Sequence, residues 1–128
     1  MSFHIPSLYM APSALHHRGM YTAEAIDAGN TIEVCPVIVL PIKDRKVIHN
    51  TTLHDYYFTW GEEDNACAIA LGYGSLYNHS YNPNARFLVD LEMETISIRS
   101  IKDIAAGEEI LINYNGDPKD QTALWFNK

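Results

Sequence analysis

At 128 residues with 47% hydrophobic side chains, the chain has the length of one domain and enough apolar surface to bury a core, which excludes a disordered segment. Nine basic against 16 acidic residues give a net charge of −7, with no basic stripe of the kind that grips a phosphate backbone, so nucleic acid is not expected as a direct partner. The same acidity suits attraction of basic partners such as lysine-rich tails.

The first ten residues hold no basic cluster ahead of an apolar run, so no secretory signal is expected. Residues 31–42 are rich in Val and Ile and predict a strand, bent where Pro36 and Pro41 fall. Its apolar stretch, 34–42, is too short to cross a membrane, and the expectation is an intracellular protein with no membrane partner. Cys35 and Cys67 are too few for a disulfide framework or a four-thiolate zinc site and read as buried free thiols. Residues 47–53 could form a helical turn or two at most. Aromatic residues 55–60 predict an extended segment, 61–65 a turn, and 66–71 a small apolar strand. Residues 85–89 and 95–100 predict a hairpin around 91–94, because Ile96 and Ile98 alternate with polar neighbours. Residues 110–114 predict one more short strand. One pattern occurs twice: Ile26-Asp27-Ala28-Gly29-Asn30-Thr31-Ile32 and Ile104-Ala105-Ala106-Gly107-Glu108-Glu109-Ile110 each place an Ile before a turn whose Gly can take positive φ.

Three stretches stand out chemically: 17–22, beginning His17-Arg18-Gly19-Met20; 72–85, containing Asn78-His79-Ser80-Tyr81-Asn82-Pro83-Asn84; and 107–114, containing Gly107-Glu108-Glu109-Ile110 and Tyr114. On its own the middle one reads either as a well-capped irregular loop or as a set of amide and imidazole groups for a polar ligand. Together the three resemble the SET family, with its Gly-x-Gly turn, Asn-His-Ser-x-x-Pro-Asn loop and Gly-Glu-Glu-Leu-x-x-x-Tyr strand. The likeness covers about residues 18–114. His17 stands where the family's first Gly usually lies, and Ile110 stands for its Leu.

The resemblance implies a mainly β, β-clip-like fold of several small sheets with a C-terminal pseudoknot, an arrangement rare among folds. It implies a single domain over 1–128, with its core at about 14–116 and a short post-SET-like tail at 117–128. The chain is similar to minimal SET proteins that lack zinc-binding cysteine flanks and can form homodimers. The implied activity is S-adenosylmethionine-dependent methylation of a protein lysine, leaving S-adenosyl-L-homocysteine. The acceptor would be a basic protein, histone or histone-like. The implied location is cytoplasmic in a bacterial host and nuclear or chromatin-associated otherwise. The cofactor would lie against Arg18, Gly19, Met20, Asn78 and His79, with Trp125, or its neighbour Phe126, either stacking on adenine or forming an apolar tail. Tyr114 would sit beside the methyl group, and Tyr56 resembles the tyrosine that lines the lysine channel. The same groove would also suit a non-catalytic module that binds a peptide.

The chemistry agrees with that choice of residues. Methyl transfer to an amine is an in-line displacement, and the amine must be neutral. Keeping a lysine neutral at pH 7 costs roughly 4.6 kcal/mol, which a narrow apolar channel and a neighbouring sulfonium would supply. A phenol gives shape and a hydrogen bond without stabilising the ammonium, as a carboxylate would. Tyr9, Tyr21, Tyr57, Tyr77 and Tyr81 are given no role. A metalloenzyme is not expected, since His16 and His17 are adjacent and His49 and His54 are five apart, neither an i, i+4 pair.

Overall fold

The computed structural model describes residues 3–61 and 65–124. Among these the elements run β1 (Phe3–His4), β2 (Leu8–Pro12), β3 (Arg18–Thr22), β4 (Thr31–Leu40), α1 (Ile42–Ile48), a 3-10 turn (Thr52–Asp55), β5 (Tyr57–Trp60), β6 (Ala66–Ala70), a second 3-10 turn (Gly74–Leu76), β7 (Asn78–His79), β8 (Ala85–Asp90), β9 (Thr95–Ser100) and β10 (Glu109–Ile112). One antiparallel sheet has the order β5-β6-β4-β9-β8, with β1 also paired to β4, and a smaller sheet has the order β2-β3-β10-β7. β1 and β2 precede the expected core of 14–116 yet are paired into the two sheets.

β4 is the hub. Residues 31–36 pair with β9, and residues 37–40 pair with β6. Pro36 sits at the handover. Its carbonyl accepts from Leu71 N, just past β6, so the N–H that proline lacks would face the end of that ladder. The strand stops at Leu40 rather than at residue 42, because Pro41 caps a helix start and Asp44 lies in the favourable first turn. α1 therefore begins five residues before the helical turn expected from the sequence. None of its side chains is buried, so there was no apolar stripe to read.

The hairpin of β8 and β9 forms where expected, with Ile96 and Ile98 buried and Arg99 exposed. Burial of such side chains contributes about 1.5–3 kcal/mol each. The repeated turns meet each other: Ile26 and Ile104 form a two-way backbone bridge, each N–H donating to the other's carbonyl at 2.8 Å. Gly29 and Gly107 follow at φ +86° and +82°, a conformation costly for any residue with a Cβ. That bridge brings β3 and β10 side by side, with Ile110 opposite Met20. β7 then pairs in parallel on the other edge of β10.

Candidate active site

The parallel pairing of β7 and β10 sets Leu111 opposite Asn78 and Ile112 opposite His79, so Tyr114, two residues beyond the strand, emerges beside the Asn-His pair. Tyr114 N donates to His79 Nδ1 at 3.0 Å, and the phenol donates to the Tyr77 carbonyl at 2.7 Å. Burial pushes the Tyr114 phenol up to about 12, helped by Tyr56, Asp55 and Glu109, so it stays a protonated donor at neutral pH. Burial lowers the His79 pKa, which favours the neutral imidazole. Acceptance at Nδ1 then places its proton on Nε2.

A polar latch holds the other wall. Asn78 Nδ2 donates to Glu109 Oε2 at 2.8 Å and to the carbonyls of Arg18 and His16 at 3.0 and 3.3 Å. Ser13 Oγ donates to the same carboxylate at 2.8 Å. This packing explains Gly19, since a Cβ there would lie 2.2 Å from Glu109 Oε2 and 2.8 Å from Asn78 Nδ2. Just before it, His17 has φ +38°. The resemblance puts a glycine at this place, and the backbone supplies the reason: it turns through left-handed space, which histidine tolerates better than most residues but still at a cost. His17→Val is therefore expected to lose about 1–2 kcal/mol of stability in denaturant titration, whereas His17→Gly loses none.

Two cavities flank Tyr114. The first, about 220 Å³, is lined by Leu15, His16, His17, Arg18, Leu76, Asn78 and His79 together with Asp55, Tyr56, Ser75 and Tyr114. The second, about 320 Å³, is largely aromatic, with Tyr57, Phe58, Tyr77 and Phe87 beside His49, His54, Thr59 and Gly74. Its remaining lining residues are the same four, Asp55, Tyr56, Ser75 and Tyr114. One space is bordered by the latch, the other is walled by aromatic rings, and two phenols stand in the wall they share. Among the described residues no group of three His, Cys, Asp or Glu side chains could hold a metal ion.

A family model described as SET domain matches residues 17–115. The chain belongs to the SET domain family. It is 34% identical over 111 residues to the Schizosaccharomyces pombe histone-lysine N-methyltransferase described as H3 lysine-37 specific, covering 85% of this chain and 69% of that protein. A crystal structure of a Plasmodium falciparum protein superposes with TM-score 0.67 at 29% identity, over 86% of this chain and 98% of that one. A ctPRC2 structure in an autoinhibited conformation, bound to S-adenosylmethionine, shares the fold at TM-score 0.72 and 21% identity, over 84% of this chain and 15% of that one. The SET recognition and the mainly β fold expected from the sequence both stand, and with them the enzyme class, a protein-lysine methyltransferase.

Within this SET domain, Arg18, Asn78, His79, Tyr56 and Tyr114 come together around the first cavity. Gly19 and Met20 do not line it: Gly19 backs onto Glu109, and Met20 is fully buried in the core. The chain approaches the cavity one turn earlier, through Leu15, His16 and His17. Trp125 and Phe126 lie outside the described residues. Tyr77 and Tyr57, given no role from the sequence, both line the second cavity. Tyr77 is further tied by its hydroxyl to Glu33 Oε1 at 2.7 Å, while Glu33 Oε2 accepts from Tyr73 N at 2.9 Å. Glu33 is only 3% exposed. A lone carboxylate inside a Val/Ile strand was the available signal, since a buried acid needs such partners. Cys35 and Cys67 are free and buried, and burial raises both thiols' pKa.

Proposed function

We propose that this SET domain is an S-adenosylmethionine-dependent protein-lysine N-methyltransferase, with the cofactor in the first cavity and the lysine side chain in the second. The observation that carries this reading is the wall of Asp55, Tyr56, Ser75 and Tyr114 common to both spaces, since transfer between two ligands needs one point where each reaches the other. The first cavity fits the cofactor's chemistry: Leu15 and Leu76 offer apolar surface to a purine, neutral His79 and Asn78 offer a donor and a tethered amide, and Arg18 offers a guanidinium to a carboxylate. When bound, S-adenosylmethionine would supply an electrophilic methyl group on a sulfonium.

The chain's own part is to desolvate, align and exclude water. Tyr56, Tyr57, Phe58, Tyr77, Phe87 and Tyr114 surround the lysine path with rings, which disfavours the charged amine. Tyr114, held by the Tyr77 carbonyl, orients the shared wall without adding a negative charge. Arg18, Gly19 and Met20 act through β3, where Gly19 allows the latch to close and Met20 anchors the strand in the core. The described fold supports one unit over most of the chain, and we assign 117–128 to a short post-SET-like tail. The names of the relatives point to a histone or histone-like tail as acceptor and to chromatin as the place of action. No described helix is long and apolar enough to cross a membrane.

The direct test is incubation with methyl-labelled cofactor and histones, followed by mass spectrometry of the modified lysines. Binding of the peptide without label transfer would favour the non-catalytic module instead. Asn78→Ala is expected to weaken cofactor binding about tenfold by calorimetry, roughly 1.4 kcal/mol, because the carbonyls of His16 and Arg18 lose their tether. An unaltered dissociation constant would detach the latch from the cofactor.

A further inference from the structure

We infer that Asp55 is the residue that recognises the substrate's ammonium group: it draws the cationic lysine to the junction of the two cavities and holds it there until its proton leaves to water. This rests on the methyltransferase reading above and adds to it the form in which the substrate enters.

Asp55 is the one carboxylate among the described lining residues of either cavity, and it lines both. It ends the 3-10 turn Thr52–Asp55, which Thr51 caps by accepting from Leu53 N at 3.2 Å. The next residue, Tyr56, is fixed by Ser75 Oγ donating to its carbonyl at 3.1 Å, so the carboxylate is carried at a defined place in the wall. Asp55 is exposed whereas Tyr56, Ser75 and Tyr114 are half-buried, so an arriving side chain meets the charge before the rings. Its field reaches the transfer point, because it contributes to the raised pKa of Tyr114 more than Glu109 does, the other carboxylate acting on that phenol, which lines neither cavity.

The other titratable groups facing the junction on the second side are phenols (Tyr56, Tyr57, Tyr77 and Tyr114) and the imidazoles of His49 and His54. On the first side they are His16, His17, Arg18 and His79. None of these can attract an ammonium as a carboxylate does. The same attraction has a second consequence. A nearby negative charge favours the protonated amine, so Asp55 lowers KM while raising the pH at which the bound amine becomes neutral. The proton goes to solvent before the nitrogen attacks the methyl carbon, and Asp55 is not its final acceptor.

The experiment compares wild type, Asp55→Asn, Asp55→Glu and Tyr114→Phe on a lysine peptide across pH and salt. Asp55→Asn is expected to raise peptide KM about fivefold at low salt, with a smaller gap at high salt. It should also move the acid limb of the kcat profile to lower pH, a shift that a loss of packing would not produce. Asp55→Glu keeps the charge and should hold KM near wild type. Unchanged KM and an unmoved acid limb in Asp55→Asn, with wild type active and Tyr114→Phe impaired, overturn this inference and leave the parent reading standing. A wild type that methylates nothing overturns both. Should Asp55→Asn fail to fold, the wild type decides: a peptide KM that does not rise with salt overturns the inference.

Discussion

Replacing Tyr114 with phenylalanine is expected to lower methyl transfer tenfold or more while cofactor affinity survives. The hydroxyl donates the 2.7 Å bond to the Tyr77 carbonyl, and with its pKa pushed up to about 12 it acts as a neutral donor at neutral pH. Without it the ring keeps its volume but loses the anchor that sets its angle in the wall between the two cavities. A tenfold loss corresponds to about 1.4 kcal/mol of the barrier, a modest demand for one buried hydrogen bond at the point of alignment. The bond to His79 comes from the Tyr114 backbone, so the variant leaves it intact and the first cavity should keep its shape. Single-turnover methylation at saturating cofactor, with calorimetry alongside, separates the two effects. Full turnover in Tyr114→Phe would remove this residue from the mechanism.

The second large effect is on stability. Asn84 closes the loop that follows β7, and its side chain is the clasp on β10: Nδ2 donates to the Glu109 carbonyl at 2.8 Å and to Glu108 Oε2 at 3.1 Å, while Oδ1 accepts from Leu111 N at 2.8 Å. It is 7% exposed, so alanine would leave β10 backbone groups unpaired where water has little access. Asn84→Ala is expected to cost about 3 kcal/mol, seen as a fall in Tm of about 10 °C. Because β10 delivers Tyr114 to the site, the variant should also lose activity at temperatures where it remains folded. A loss below about 1 kcal/mol would mean that β10 is held by its strand partners alone.

Much of this was present in local chemistry. The alternation of Ile96 and Ile98 specified a half-buried strand, the two Ile-x-x-Gly turns specified positive φ, and the residue types in the Asn-His-Ser loop and the tyrosine strand specified the family. α1 was not legible in the same way, because it buries none of its side chains and leaves no periodic trace. β1 was missed because a two-residue exposed strand depends on a partner about thirty residues on, and β2 because four of its five residues are not buried and leave no clear alternation.

The sequence by itself determined which residues could carry methyl transfer, since that depends on side-chain type and on motifs short enough to read in a line. Only the tertiary structure decided how they act. Asn78 and Glu109 stand 31 residues apart and become one latch. Ile26 and Ile104 become one bridge, and a carboxylate beside an aromatic run becomes the charged member of a wall between two cavities. Burial and contact are properties of pairs distant in the chain, and a phenol, an amide or an acid acquires its role from the neighbours that exclude water around it.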